Sequence, residues 1–411
     1  MKPDLTLFVP GLCAPWRGEN PQAFLPAPHV PALLDLLTRA DRAAQPSLPF
    51  EDALARAFAV EAGDLPWGAL GLWGETGERP AGFVVRLDPV HLRLGMTEAI
   101  VTAGAALPLS LAEAQELARS LEAHFVDRGW TIVVAAPQCW YVCVPDPVEL
   151  ETTPLSQALG HDAGVLKPQG RDARHWLADV NEAQMLLFAH PVNAAREARG
   201  LPTVNSLWPW GAGALPPSPL AGRAKRGGRS RLGERGESLG AEYAPQTSEP
   251  PLPNPLLPNI PVRHPSGSLR DSAPFPTALV PRGGREFLTA PTTAVYANHP
   301  LARGLAHASE FPVHDLPETL DECAELSGTA LIVLDDLVQP FQDGDYDDWQ
   351  ATLEGMDARW FAPLRAALAK ERVSTLQIDT GAACFVCKPA HRWRFWRRAK
   401  PLESLCSAAR V

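Results

Sequence analysis

Asp335 and Asp336 close the apolar run Ala330-Leu331-Ile332-Val333-Leu334. Proteins built on parallel sheets place ligand-binding groups where buried strands end. A carboxylate there can hold a cation or receive a proton, or it can cap the next turn by accepting from backbone amides. These two are the catalytic candidates. Asp343, Asp345, Asp347 and Glu354 fall at positions 1, 3, 5 and 12 of a calcium-type loop, but the sixth position, which needs Gly, is Asp348. The residues from Trp349 onward read as helix, so the spacing favours a helix start over a cation site. Cys384 and Cys387, with His391 and Cys406 beyond, offer four zinc-type donors. A zinc pair sits on a tight knuckle, whereas two β-formers separate these cysteines and a strand sends i and i+3 to opposite faces. Buried thiols are expected, and no metal site.

Two arginine groupings could hold anions. In Arg86-Leu87-Asp88-Pro89-Val90-His91-Leu92-Arg93, strand alternation puts Arg86 and Asp88 on one face, and Pro89 shifts the phase so that His91 and Arg93 need not share it. Guanidinium forks match phosphate and carboxylate oxygens; the alternative is exposed strand charge, with Asp88 partnering Arg86. The tail His391-Arg392-Trp393-Arg394-Phe395-Trp396-Arg397-Arg398 interleaves cations and rings. It reads as a last edge strand with aromatics inward and arginines solvated, or as a stacking surface for single-stranded nucleic acid or another anionic partner. There is no Gly-x-Ser-x-Gly elbow, P-loop or dinucleotide fingerprint.

Length and composition set the frame for these groups. The 411 residues suggest two or three domains. Hydrophobic content of 45% with 20% charged residues excludes a wholly disordered chain. The formal charge of −10 disfavours a dedicated nucleic-acid binder. No apolar run reaches the length of a membrane span, the N-terminus lacks a secretory pattern, and seven Cys argue against a disulfide framework. A cytoplasmic protein with no membrane association is the expectation.

The pattern places elements around the candidates. Strands are expected at 4–9, 82–87, 98–102, 130–136, 140–144, 294–296, 330–334, 375–379 and 383–388. Helices are expected at 29–42, 51–61, from a Ser110/Glu113 capping box to about 125, at 171–188, and from a cap at Asp347 or Asp348 to about 369. Residues 80–145 thus form a compact α+β unit. Between 214 and 281 Pro and Gly are dense and a basic run spans Arg223 to Arg235, which reads as a solvated, disordered insert. Trp208 and Trp210 are expected to pack a domain junction.

The most distinctive text is His190-Pro191-Val192-Asn193, then Arg196, Gly200, Asn205 and Trp208-Pro209-Trp210-Gly211. It resembles a segment of archaeal-type cofactor-independent phosphoglycerate mutases, in the alkaline phosphatase superfamily. With Asn181-Glu182-Ala183-Gln184-Met185 ahead of it, the chain looks still more like the RpfE-type regulatory proteins. The resemblance implies an α/β fold: an alkaline-phosphatase-like core sheet with helices on both faces, interrupted by a smaller α+β domain. It divides the chain into a first core part at 1–79, the inserted domain at 80–190, a return to the core at 191–213, the Pro/Gly-rich insert at 214–281 and a second core part at 282–411.

It also implies ligand-binding roles for Arg86, His91, Arg93, His190, Asn193, Arg196 and Asn205, towards a small phosphorylated or carboxylate ligand. The enzymes of this group hold two divalent metals with Asp and His around a hydroxyl nucleophile. This chain has Val9-Pro10-Gly11 where they have an Asp-Gly ligand, and Pro49-Phe50-Glu51-Asp52-Ala53 in place of the nucleophile segment, with Ser47 the nearest hydroxyl. Val338 and Gln342, before Asp343-Gly344-Asp345, stand where an Asp and a His are expected. The resemblance therefore implies a pseudoenzyme with no cofactor, acting as a regulatory or ligand-binding protein with a protein partner. The alternative is an active mutase or phosphohydrolase that uses Mn or Zn through relocated ligands, drawn from Asp52, Asp335, Asp336, Asp343 and His314.

Overall fold

The computed structural model describes residues 2–16, 27–60, 63, 65–216, 294–320, 328–398 and 400–407. Most of the expected Pro/Gly-rich insert lies outside these residues. Twelve strands are described: β1 (Asp4–Phe8), β2 (Asp41–Ala44), β3 (Phe83–Leu94), β4 (Ala99–Thr102), β5 (Thr131–Ala136), β6 (Cys139–Val144), β7 (Ser206–Gly213), β8 (Ala294–Tyr296), β9 (Val313–His314), β10 (Thr329–Val333), β11 (Thr375–Asp379) and β12 (Ala383–Cys387). The helices used below are α1 (Pro31–Arg39), α2 (Phe50–Ala57), α3 (Trp67–Thr76), α4 (Leu111–His124), α5 (Leu155–Ala158), α6 (Ala173–Phe188), α7 (Pro191–Ala198), α8 (Pro300–Ala308), α9 (Val338–Asp343), α10 (Tyr346–Met356), α11 (Ala362–Ala369) and α12 (Leu402–Cys406).

Seven strands make the core sheet in the order β2-β12-β11-β1-β10-β8-β9. β1 lies at its centre and runs parallel to both β10 and β11. The centre is apolar on both faces because helices cover both. Leu5, Leu7, Ala330, Ile332, Leu376 and Ile378 point to one side, where α1, α10, α11 and α12 pack. Phe8, Val295, Leu331 and Val333 point to the other, against α2, α3 and α8. Each fully buried Leu or Phe contributes about 1.5–3 kcal/mol of transfer free energy, so the alternation along β1 and β10 fixes their register.

The second sheet runs β4-β3-β6-β5, and β7 joins it beside β3. Residues 206–213, expected to return to the core, instead pair antiparallel with β3. Trp208 and Trp210 then reach the core-sheet face among Phe8, Val295 and Val333 and so do pack the junction. β3 is twice the expected length and runs straight through Pro89, which faces Leu207. The register shift lies earlier, between Val84 and Arg86.

Several local expectations change. The long helix expected to end near 369 is α10, a π-turn at Asp357–Phe361 and α11, and its cap is Asp345, whose side chain accepts from the Asp348 amide. The carboxylate of Asp357 accepts from the amides of Ala32 and Leu33 (3.1 and 2.7 Å), tying this bulge to the start of α1. The tail is no edge strand: Pro389–Trp393 forms a 3-10 turn and bends follow it. The Ser110/Glu113 capping box is present as expected.

Candidate functional site

The carboxyl ends of β1, β10, β11 and β8 form one edge of the core sheet, where a parallel sheet offers its ligand site. Five features meet this edge: the Val9-Pro10-Gly11 turn, Asp335-Asp336, Asp379, His299, and the first turn of α2 with Phe50 and Glu51.

The turn after β1 is closed down tightly. Gly11 has φ +84°, and a Cβ there would stand 3.0 Å from the backbone carbonyl carbon of Leu337. The chain leaving β1 therefore rests directly on the chain leaving β10. Leu334 donates its amide to the Phe8 carbonyl (2.9 Å), and Val9 donates to the Asp379 carbonyl (2.7 Å). These bonds hold the three central strand ends together, and Val9, Leu12, Leu334 and Leu337 seal them with apolar contact.

Phe50 occupies the position where the resemblance implies a nucleophile segment. Its ring lies 6.4 Å from Phe8 and 4.8 Å from the His299 imidazole. Nδ1 of His299 accepts from the Leu301 amide (3.2 Å), capping α8, so Nε2 carries the proton of the neutral ring. Burial, aided by the positive charge of Arg86, drives the His299 pKa down to about 3. The ring stays neutral in the physiological range, and its Nε2 is a donor without a lone pair for a metal.

The carboxylates of this edge are engaged with the protein. Glu51 is buried and accepts from Ser156 Oγ (2.7 Å) and Gln157 Nε2 (3.4 Å), both on α5 of the inserted unit. Asp379 accepts from the Gly381 amide (2.8 Å) and pairs with Arg56 at 3.2 Å. Burial raises the pKa of both. Asp335 is half-buried beside Asp336, and desolvation followed by that neighbouring charge lifts it to about 6. Asp336 also meets a cleft of about 550 Å³ with Asp343, Asp345, Asp348 and Arg359. There Asp343 accepts from Gln339 and from the Ala105 amide of the inserted unit (2.9 and 3.2 Å), and Asp345 is the α10 cap. Glu354 accepts from the His29 amide and Gln350. Among the described residues no three His, Cys, Asp or Glu side chains are grouped to hold a metal ion. The donors at this edge do not fit a two-metal set, since Glu51, Asp379, Asp343 and Asp345 already bond neighbours and His299 presents a donor.

A raised acid pKa means that the folded protein binds the proton more tightly than the unfolded chain. The stability this gives is full below the unfolded value near 3.8 and is lost as pH rises through about 6. Asp335→Asn should therefore raise the midpoint of urea unfolding at pH 7.5, by up to about 3 kcal/mol, and leave it unchanged near pH 4. Equal effects at both pH values would rule out this linkage.

The residues expected to bind ligand lie in the inserted unit, with Arg86 near enough to this edge for its charge to act on His299. Arg86 Nε donates to Asp88 (2.7 Å) and Nη1 to the Tyr141 hydroxyl (3.2 Å), and its guanidinium lies 5.1 and 5.4 Å from the Tyr141 and Trp210 ring centres. Trp210 Nε1 donates to the other oxygen of Asp88 (2.8 Å). His91 Nδ1 donates to the Thr203 carbonyl (2.8 Å), while Arg93 is exposed near the end of β3. Asn205 bonds both the amide and the carbonyl of Leu92 (2.7 and 3.0 Å), acting as a side-chain rung between β3 and the approach to β7. Asn193 does the same for Val204 (3.0 and 2.7 Å) and adds the Leu187 carbonyl (2.8 Å). Arg196 is fully buried, donates to the carbonyls of Pro202 (2.9 Å) and Pro108 (2.7 Å), and pairs with Glu113 at 3.1 Å.

His190 caps α7 through Nδ1, which accepts from the Val192 amide (3.2 Å), so Nε2 donates to Ser120 Oγ (2.8 Å). A serine activated by a histidine needs the reverse arrangement, so this pair is a structural bond. The distinctive segment 190–205 thus ties α6, α7 and β7 together. Sequence reasoning missed Phe50 and His299 as the groups that fill the sheet edge; the signal was the apolar residue in the otherwise polar stretch Pro49-Phe50-Glu51-Asp52. The zinc-type cysteines Cys384, Cys387 and Cys406 are all buried thiols, and burial pushes Cys384 and Cys387 up to about 12.

No family model matches the chain. Over 79 residues, 19% of this chain and 18% of the relative, it is 40% identical to a 2,3-bisphosphoglycerate-independent phosphoglycerate mutase of Methanothrix thermoacetophila. The match thus spans about a fifth of that relative's length. Among solved structures, a cofactor-independent phosphoglycerate mutase from Thermoplasma acidophilum aligns with TM-score 0.41 at 15% identity, covering 100% of this chain and 96% of that one. The PH0037 protein of Pyrococcus horikoshii aligns with TM-score 0.48 at 14% identity, covering 94% and 87%. The chain has a mixed α/β architecture and is similar to phosphoglycerate mutase in part of its sequence.

Proposed function

We propose that this protein keeps a phosphoglycerate-mutase-like fold for a regulatory or binding task of the RpfE type in the cytoplasm, and that it has lost two-metal catalysis. The observation that carries this reading is Phe50, set between Phe8 and His299 where the enzymes of the resembled group need a hydroxyl nucleophile between metals. The Val9-Pro10-Gly11 turn supports it, because none of its three side chains can ligate a metal. Of the three arginines considered for an anionic ligand, Arg86 and Arg196 are committed to protein acceptors, which leaves Arg93 to meet a small phosphorylated or carboxylate ligand.

The test is a paired measurement on the purified full-length chain. After incubation with Mn²⁺ and Zn²⁺ and desalting, elemental analysis should find no stoichiometric metal. A coupled assay should find no interconversion of 3- and 2-phosphoglycerate with or without those ions. Retained metal together with turnover overturns the proposal.

One observation favours a second reading, residual acid–base chemistry: Asp335 sits just beyond the end of β10, beside the central strand, with its pKa at about 6, close to where a general acid works best. Under that reading the parent would turn over a substrate and Asp335→Asn would abolish turnover without lowering the melting temperature.

A further inference from the structure

The tail turns the expected arrangement inside out. Arg394 points back into the protein, donating to the Arg39 carbonyl (2.9 Å) and to Asp41 (2.5 Å), and Arg397 donates to the Ala40 carbonyl (2.6 Å). His391 is buried behind them, with Nε2 3.4 Å from Asp41. The arginines thus close the C-terminal end of α1, where unpaired carbonyls and the helix dipole favour cations. With its base pinned, the segment turns its rings outward: Trp393, Phe395 and Trp396 are 62%, 77% and 67% exposed. Large rings held this far into water cost free energy that something must offset.

Charge narrows what covers them. From Lys388 to Lys400 there are six Lys and Arg and no carboxylate. Among the described residues, the acids paired with this face are Asp41, shared among Arg394, Arg397 and His391, and Glu371, shared between Arg392 and Lys2. A second copy docking through the same patch would bring like charges together. The segment 214–281 carries its own basic run, Arg223 to Arg235, and is a poor charge match for this patch. The partner is anionic.

The depth order of the groups decides between a nucleic-acid strand and a lipid surface. The side chains of Arg392, Arg394 and Arg397 are 38%, 23% and 40% exposed, so the rings are more open to water than these arginines. A strand needs ring faces open for stacking along a basic groove. Here Arg392 lies over Trp393 at 5.2 Å, and Phe395 meets Trp396 edge to face at 76°. A bilayer presents phosphates first and the apolar interface beneath them, the order in which a tip of projecting rings ringed by cations would meet it.

We propose that the Trp393-Phe395-Trp396 tip, with Lys388, Arg392, Arg398 and Lys400 around it, docks this protein peripherally on an anionic lipid surface. No helix among the described residues is long and apolar enough to cross a membrane, so the contact would be superficial and reversible.

The test uses the full-length protein and sedimentation with phosphatidylcholine vesicles, with and without about 30 mol % phosphatidylglycerol. Binding is expected to the anionic vesicles alone and to weaken between about 0.1 M and about 0.5 M salt. The triple variant Trp393→Ala, Phe395→Ala, Trp396→Ala should bind at least about tenfold more weakly, with unchanged circular dichroism and melting temperature. It leaves the 223–235 basic run intact, so the loss reports on the rings. Arg392→Ser with Arg398→Ser should keep the rings, lose affinity and lose salt sensitivity. Equal binding of parent and triple variant overturns the proposal, as does indifference to phosphatidylglycerol. Binding of an oligothymidylate that is lost in the triple variant, without vesicle binding, overturns it in favour of a nucleic-acid strand.

Discussion

Arg196→Met should lower the stability of the protein by about 3–5 kcal/mol, measured as a lower urea midpoint at unchanged slope. The guanidinium has no exposed surface and holds three groups from two parts of the chain: the Pro202 carbonyl, and the Pro108 carbonyl with Glu113 at the start of α4. Methionine fills much of the same volume but satisfies none of them, and a buried carbonyl without a donor costs about 1–3 kcal/mol. The loss also spreads to the start of α4, because Glu113 is the reciprocal member of the Ser110 capping box and is positioned by Arg196 and Arg199 together. Arg199→Met is the control: that arginine is 65% exposed and 3.7 Å from Glu113, so its loss should cost less than about 1 kcal/mol. A ligand-contacting arginine would behave in the opposite way, changing ligand affinity and leaving the urea midpoint within about 0.5 kcal/mol of the parent. The two roles are separable by one titration.

That contrast explains what the sequence could and could not convey. The segment His190-Pro191-Val192-Asn193 with Arg196 and Asn205 is distinctive because its bonds demand those residue types. Only an amide can pair both backbone groups of Val204 or Leu92, and only a guanidinium reaches two carbonyls and a carboxylate at once. A clasp of side chains on backbone therefore produces the same polar, specific text as a binding motif. The core strands were legible because burial on both faces leaves uninterrupted apolar runs such as 330–334. The exit of the chain at 206–213 was not, because Trp208-Pro209-Trp210 serves the second sheet through its backbone and the core through its rings. Side-chain pattern alone cannot tell which of the two owns such a strand. The tail was misread for a related reason: alternation of Arg and aromatic residues fixes that the two types separate, but not which type faces in. That choice was made by the carbonyls at the end of α1 and by Asp41, more than 350 residues away in sequence.

Gly74→Ala and Gly304→Ala should each destabilise the protein by about 3 kcal/mol or more, and together by clearly less than the sum. Helix α3 lies between the two sheets: Ala69 and Leu72 pack on the inserted sheet with Val84, Tyr141 and Cys143, while Trp67 and Leu70 pack on the core side with α8. Such a position is possible only if backbone meets backbone. A Cβ on Gly74 would overlap the Pro300 carbonyl oxygen, and one on Gly304 would overlap the Leu70 carbonyl oxygen. Both obstacles are rigid main chain, so neither variant can be relieved by a rotamer change. The helices α3 and α8 must move apart, opening the apolar contacts of Leu70, Leu301 and Leu305. Once one alanine has forced that separation the second meets less resistance, and the double-mutant cycle should show a favourable coupling of about 1–3 kcal/mol. Gly355→Ala in α10 is the matched control, since the nearest atom to its added Cβ is the flexible Arg359 Nη2 at 3.8 Å. There the gain in helix propensity should stabilise by up to about 1 kcal/mol. Additive losses at Gly74 and Gly304 would mean that the helices yield independently, and that α3 does not join the two sheets as one rigid unit.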